Sequence, residues 1–204
     1  IEGLLTTQLQ ALTTSQIAGL TSQQVFDLST TSLRLLTTTQ IAAIETTDLK
    51  VMSTDQLLSL SSSQVRALST AQISNLNSNQ AASLSSSRIQ ILTTTQISNL
   101  SSETLGALTS NVIKAINTDQ ILALTTIQMA NLYTSTVSFL TTNQIAALQV
   151  EDFAALGATN IGVLSSVQIQ GLSTSQISQL NTETVGAFNS SALELKAPTV
   201  SVFN

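Results

Sequence analysis

The residues able to do chemistry in this chain are few, and their spacing suits little of it. There is no Cys and no His. That removes Ser-His-Asp and Cys-His nucleophilic arrangements and the usual ligands of zinc and copper. Disulfides go with the cysteines, although their absence says little about compartment. Serine hydroxyls are abundant, but none stands at a motif spacing from a base, so they read as helix caps and solvated surface. Glu151-Asp152 is the one adjacent acid pair. Calcium would need more oxygen ligands than these two carboxylates, and a place in a helix's first turn favours electrostatic capping. Gly157 and Gly162 are isolated and build no phosphate-binding loop. Arg34, Lys50 and Arg66 recur every 16 residues and are expected to line one face, yet without interleaved aromatics they make a poor nucleic-acid site. Tyr133 stands where a cap residue is expected and should be exposed. Catalytic, cofactor-binding and metal-binding residues are therefore expected to be absent, and no enzyme is expected.

The elements that carry these residues follow from composition and period. Hydrophobic residues make up 42% of the 204 and charged residues 8%, so apolar surface suffices for a core and disorder is not expected. The net charge of −5 argues against nucleic acid and anionic membrane surfaces as partners. No apolar run is long enough to span a bilayer. No signal peptide is visible, and the sequence starts in mid-pattern, as expected of a segment of a longer protein.

The pattern is an octad. Counting from each leucine, position one runs Leu4, Leu12, Leu20, Leu28 and onward to Phe188, and all 24 occupants are Leu, Ile, Met or Phe. Position six runs Leu9, Ile17, Val25 and onward to Leu193, with Ala81 alone departing from a large apolar residue. Its site is expected to be underpacked, or filled by a neighbour such as Ile73 or Ile89. A continuous helix would drift by about 80° per octad and form no face. A β-coil would send positions one and six to opposite sides of a strand.

A short capped helix fits. Position two is Ser, Thr or Asn in 19 of 24 octads, the preferred N-caps. Gln follows three residues later in most, as at Thr13/Gln16 and Thr37/Gln40. Ser/Thr-x-x-Gln is the capping box, and Leu12 with Ile17 makes the hydrophobic staple around it. Charges agree. Asp48, Asp55, Glu103, Asp119, Glu151, Asp152 and Glu183 fall in expected first turns, and Arg34, Lys50, Arg66 and Lys114 in last turns, as a helix macrodipole favours. One such helix is too short to stand alone in water. Stacking must bury positions one and six, which makes the fold class an all-α solenoid of very short helices.

Positions seven and eight bear on the number of helices per coil. Ser74/Ser98, Asn75/Asn99, Ala123/Ala147 and Gly162/Gly186 repeat at 24 and favour three, whereas the bases spaced by 16 favour two. Position three is Ser or Thr in 22 of 24 octads, and a hydroxyl ladder between coils is one use for it. Residues 1–195 read as the solenoid. Residues 196–204, with Pro198 against a helix, read as an extended tail or the start of another domain. The apolar residues Ile1, Leu4, Leu5 and Leu9 form no polar end cap, so self-association or a flanking domain of the same polypeptide is the expected partner of that end.

The octads resemble the Leu-Thr-Thr-x-Gln-Ile-x-x-Leu arrays of very large bacterial secreted and surface proteins, often grouped with repeat adhesins. The resemblance runs from residue 4 to 195, as in Leu36-Thr-Thr-Thr-Gln-Ile-Ala-Ala-Ile44. It implies an extracellular or cell-surface, non-enzymatic structural or adhesive segment. It implies no catalytic or binding residue and no cofactor. Low charge, unbroken register and the lack of catalytic groups make a structural spacer or scaffold, assembling into a filament or layer, the leading expectation. The repeated Ser/Thr of position three makes an adhesive module for glycan, protein or ice the alternative.

Overall fold

The computed structural model describes residues 4–188. Among them are 23 α-helices of five or six residues each, from Thr6–Ala11 to Thr182–Gly186, and no strand. Each octad supplies one helix. Positions one and two are extended, as at Leu12 (φ −61°, ψ 132°) and Thr13 (φ −72°, ψ 160°). That extended pair turns the chain before the next helix starts. The caps work as expected: Thr37 N–H donates to Gln40 Oε1 at 2.8 Å, and Gln40 N–H donates to Thr37 Oγ1 at 3.2 Å. The expected acids occupy first turns and the expected bases last turns.

The chain divides into two compact units, 1–116 and 117–204. In the first unit each helix packs on the one three places further along. Thr6–Ala11 packs on Thr30–Leu35, Thr14–Ala18 on Thr38–Ala42 and Ser22–Phe26 on Thr46–Val51. These pairs begin the unit's first, second and third columns. The same rule holds within the second unit, from Thr118–Leu122 on Thr142–Ala147 to Gly157–Gly162 on Thr182–Gly186. Three helices make a coil, so the period is 24 and two per coil is excluded. The expected end of the solenoid near Leu195 and the segment 196–204 lie outside the described residues.

The core is built as positions one and six require. Ile41, Leu49, Ile73, Ile89 and Ile97 of position six are fully enclosed, and Leu36, Ile44, Leu60 and Leu100 of position one are buried. The two positions face opposite ways along the stack. In the octad Leu4–Ala11, Leu9 is buried while Leu4 is exposed. In the octad Leu172–Gln179, Leu172 is buried while Ile177 is 36% exposed. Position one therefore points to the preceding coil and position six to the following one.

A cavity of about 20 Å³ lies where two such layers meet in the first unit. Its walls include Leu57, Val65 and Ile73 of position six below and Leu76, Leu84 and Leu92 of position one above. Ala81 is fully buried and is not among these walls. At this boundary the short side chain is Val65.

Candidate functional site

The polar group this fold handles most deliberately is the glutamine at position five. Its Oε1 closes the capping box. That leaves two N–H donors on Nε2, and the helix that carries them packs on another coil. In the first coil Gln8, Gln16 and Gln24 are exposed, whereas Gln40, Gln56, Gln64, Gln72, Gln80 and Gln96 are buried. A buried amide must be bonded or cost free energy. Nε2 meets the demand by donating to backbone carbonyls of the preceding coil. Gln64 reaches Leu33 O and Leu36 O, both at 2.8 Å. Gln40 reaches Leu9 O and Leu12 O, Gln72 reaches Ile41 O and Ile44 O, and Gln96 reaches Val65 O and Leu68 O. In the second unit Gln176 reaches Ile145 O and Leu148 O at 2.8 and 3.0 Å. One side chain thus starts its own helix and ties off the C-terminal end of the helix four places earlier, in the neighbouring column, where carbonyls lack i+4 partners. Gln64 on Ser62–Ala67 serves Thr30–Leu35, whereas its own helix packs on Thr38–Ala42.

Three departures at position five keep the donor between coils. Arg88 sends its guanidinium to Leu58 O and Leu60 O. Thr104 Oγ1 donates to Leu76 O at 3.1 Å and Asn160 Nδ2 to Leu132 O at 3.0 Å. Each reaches the carbonyl 28 residues earlier, as glutamine does. Asp48 cannot donate when ionised. It is buried, and its Oδ1 accepts from Ser22 Oγ at 2.5 Å. Val112 is buried, and its side chain has no polar atom.

The residues singled out from sequence are scattered rather than assembled. Glu151 is exposed and Asp152 buried, both in the first turn of Val150–Ala155. Among the described residues no group of three or more His, Cys, Asp or Glu is placed to hold a metal ion. Tyr133 is 52% exposed and its side chain caps nothing. Gly157 has a role that spacing did not reveal. Leu156 is helical (φ −56°, ψ −31°), and Gly157 follows at φ 72°, so this turn runs through the left-handed region. Gly162 is needed for closeness, since a Cβ there would lie 2.9 Å from Ala187 O.

Arg34, Lys50 and Arg66 do not line one face. They belong to the first, third and second columns, because the period is 24 and not 16. Arg34 Nε and Arg66 Nε donate to Ser59 O and Ile91 O of the following coil. Position three forms no hydroxyl-to-hydroxyl ladder among the described residues. Where it bonds between coils, Ser22 and Ser78 reach the carboxylates of Asp48 and Glu103, and Ser86 reaches Asn111 O. An apolar groove of about 250 Å³ lies between Phe26 and Val51.

The sequence matches the ALTTAQ repeat over residues 41–78, 102–134 and 145–182, just over half of the chain. The chain belongs to the ALTTAQ-repeat family. No curated protein and no solved structure matches it. In the ALTTAQ octad the Gln is thus the residue whose two ends serve two coils.

Proposed function

We propose that this ALTTAQ array is a non-enzymatic structural segment, a spacer or scaffold of a bacterial extracellular or cell-surface protein that self-assembles into a filament or layer. One observation carries the reading. The buried position-five amides of Gln40, Gln64, Gln72 and Gln96 are directed to the backbone of another coil, and none is turned to an outward cleft. A chain that puts its buried polar chemistry into holding coils together is suited to bearing load and keeping distance. The likeness to repeat arrays of large secreted proteins supports the location.

The second reading is an adhesive module for glycan, protein or ice. It is favoured by Thr14, Thr38 and Ser62, exposed at position three in successive coils of the second column. Protease treatment of intact cells, followed by electron microscopy of the released protein, tests the leading reading. Release of ordered assemblies is expected. Protein found only inside the cells would overturn it. Retention of immobilised glycan by dispersed monomers would favour the second reading.

A further inference from the structure

Once columns are known, the charges of the first unit fall into an order that the linear sequence hides. The second column carries Arg66 at position seven of Ser62–Ala67 and Lys114 at position seven of Ser110–Ala115. Between them, on Ser86–Ile91, position seven is Gln90. The first column carries Asp55 at position four of Thr54–Ser59 and Glu103 at position four of Ser102–Ala107, with Asn79 between. All six side chains are exposed. Each row reads charge, neutral amide, charge in three successive coils, and each pair of charges stands two coils apart. At about 8–10 Å per packed layer, both separations come to roughly 16–20 Å. The second column of this unit carries no acid at all, in a chain with eleven acids and six bases.

We infer that the basic row Arg66–Gln90–Lys114 of one copy docks against the acidic row Asp55–Asn79–Glu103 of a second copy. The inference rests on the self-assembly reading above and names the surface that would perform it. Equal spacing lets both ion pairs form at once, with the amides of Gln90 and Asn79 facing each other between them. The contact is heterologous. Each copy keeps its other row free, so contacts propagate into a string unless a rotation closes a ring. Charge complementarity of this exposed kind sets register and encounter rate more than strength. Assembly should therefore be weak and salt-sensitive.

The 204-residue chain is followed by sedimentation at about 0.01 M and about 1 M salt, where the screening length falls from about 30 Å to about 3 Å. Assembly at low salt and dispersal at high salt is expected. Arg66→Glu/Lys114→Glu should abolish assembly, and so should Asp55→Lys/Glu103→Lys. An equimolar mixture of the two double variants should restore it, as should the fourfold variant alone. Circular dichroism confirms that each variant is folded. Assembly of the native chain that ignores both double variants overturns the pairing and leaves the self-assembly reading standing. A native chain that stays monomeric at both salt concentrations overturns both.

Discussion

Two stretches of the second column in the first unit invite comparison. At Thr38–Ala42 and Ser62–Ala67 the ALTTAQ rule is kept. Gln40 and Gln64 close their own capping boxes and bond two carbonyls beneath. At Ser86–Ile91 and Ser110–Ala115 it is broken. Arg88 still reaches the carbonyls but closes no box, and Val112 does neither. The cavity has Arg88 and Val65 among its walls, at the first boundary where glutamine is lost from this column. The difference separates two jobs that glutamine performs together. Helices form without the box, since Ser86–Ile91 keeps a cap from Ser85 Oγ alone. What changes is the bonding between coils.

If packing outweighs bonding in both stretches, truncation of position six should cost the most. Ile89→Ala removes a fully buried side chain from the broken stretch and should cost about 2–5 kcal/mol, read as faster amide exchange around residues 86–92. Gln64→Leu keeps the bulk and drops the bonds. It leaves Leu33 O with only the Leu36 N–H bond and removes the side-chain donor that Leu36 O holds, both in a buried setting, and should cost about 2–3 kcal/mol. Exchange should quicken at Leu33–Leu36 as well as at Ser61–Gln64, because the bond spans coils. Quickening confined to the helix of Gln64 would reduce the glutamine to a cap.

The reasons some of this was legible are physical. Caps, staples and charge polarity act within one octad, so Thr37, Gln40 and Ile41 can be read from local spacing. The three-helix coil showed faintly in Asn75/Asn99 and Gly162/Gly186, and of these four only Gly162 is fixed by a close approach between coils, to Ala187. Asn75 and Asn99 are exposed and bond within their own helices. The inter-coil bond was missed because the capping box accounts only for Oε1. Asking where the two Nε2 protons go, which backbone and side-chain accounting demands, would have pointed to carbonyls outside the octad. The bases were misaligned for a related reason. A column exists only in the folded coil, and Arg34, Lys50 and Arg66 share octad position seven but not a column.

A smaller effect belongs to the turn at Gly157, the one described position with φ in the left-handed region. A Cβ there would touch nothing within 4 Å, so any penalty is conformational and not steric crowding from neighbours. Gly157→Ala should cost about 1 kcal/mol. Gly157→Ser should cost less, because serine restores the cap found at Ser165 and Ser173 and lets the turn revert to the extended geometry. Equal losses for the two would mean that neighbouring packing, and not the cap, fixes this turn. Back in the first unit, Val112→Gln supplies the missing donor to the carbonyl of Leu84, 28 residues earlier. A gain of about 1 kcal/mol is expected, measured by slowed exchange at Leu84 and Arg88. A loss instead would show that this boundary is shaped for an apolar residue.

The smallest change is the sharpest for the boundary between the two stretches. Val65 lies in the layer where Leu57 and Ile73 are one carbon larger, and the cavity opens beside it. The walls are apolar, the methylene stem of Arg88 included, so water gains no partners there and the space stays dry. An empty space beside a side chain forfeits dispersion contacts on that side. Val65→Ile adds one methylene toward it without altering the β-branch that fixes the rotamer. Burying one methylene is worth about 0.8 kcal/mol, and a fraction is lost if the new carbon must leave its preferred rotamer. A gain of about 0.5 kcal/mol is therefore expected, measured as slower exchange at Val65 and at Leu92 across the boundary. Slowing at Val65 alone would mean that the methylene fills its own coil and that the gap between coils remains. A net loss would mean that the space is required by the guanidinium of Arg88, and the double variant Val65→Ile/Arg88→Gln would then recover the loss.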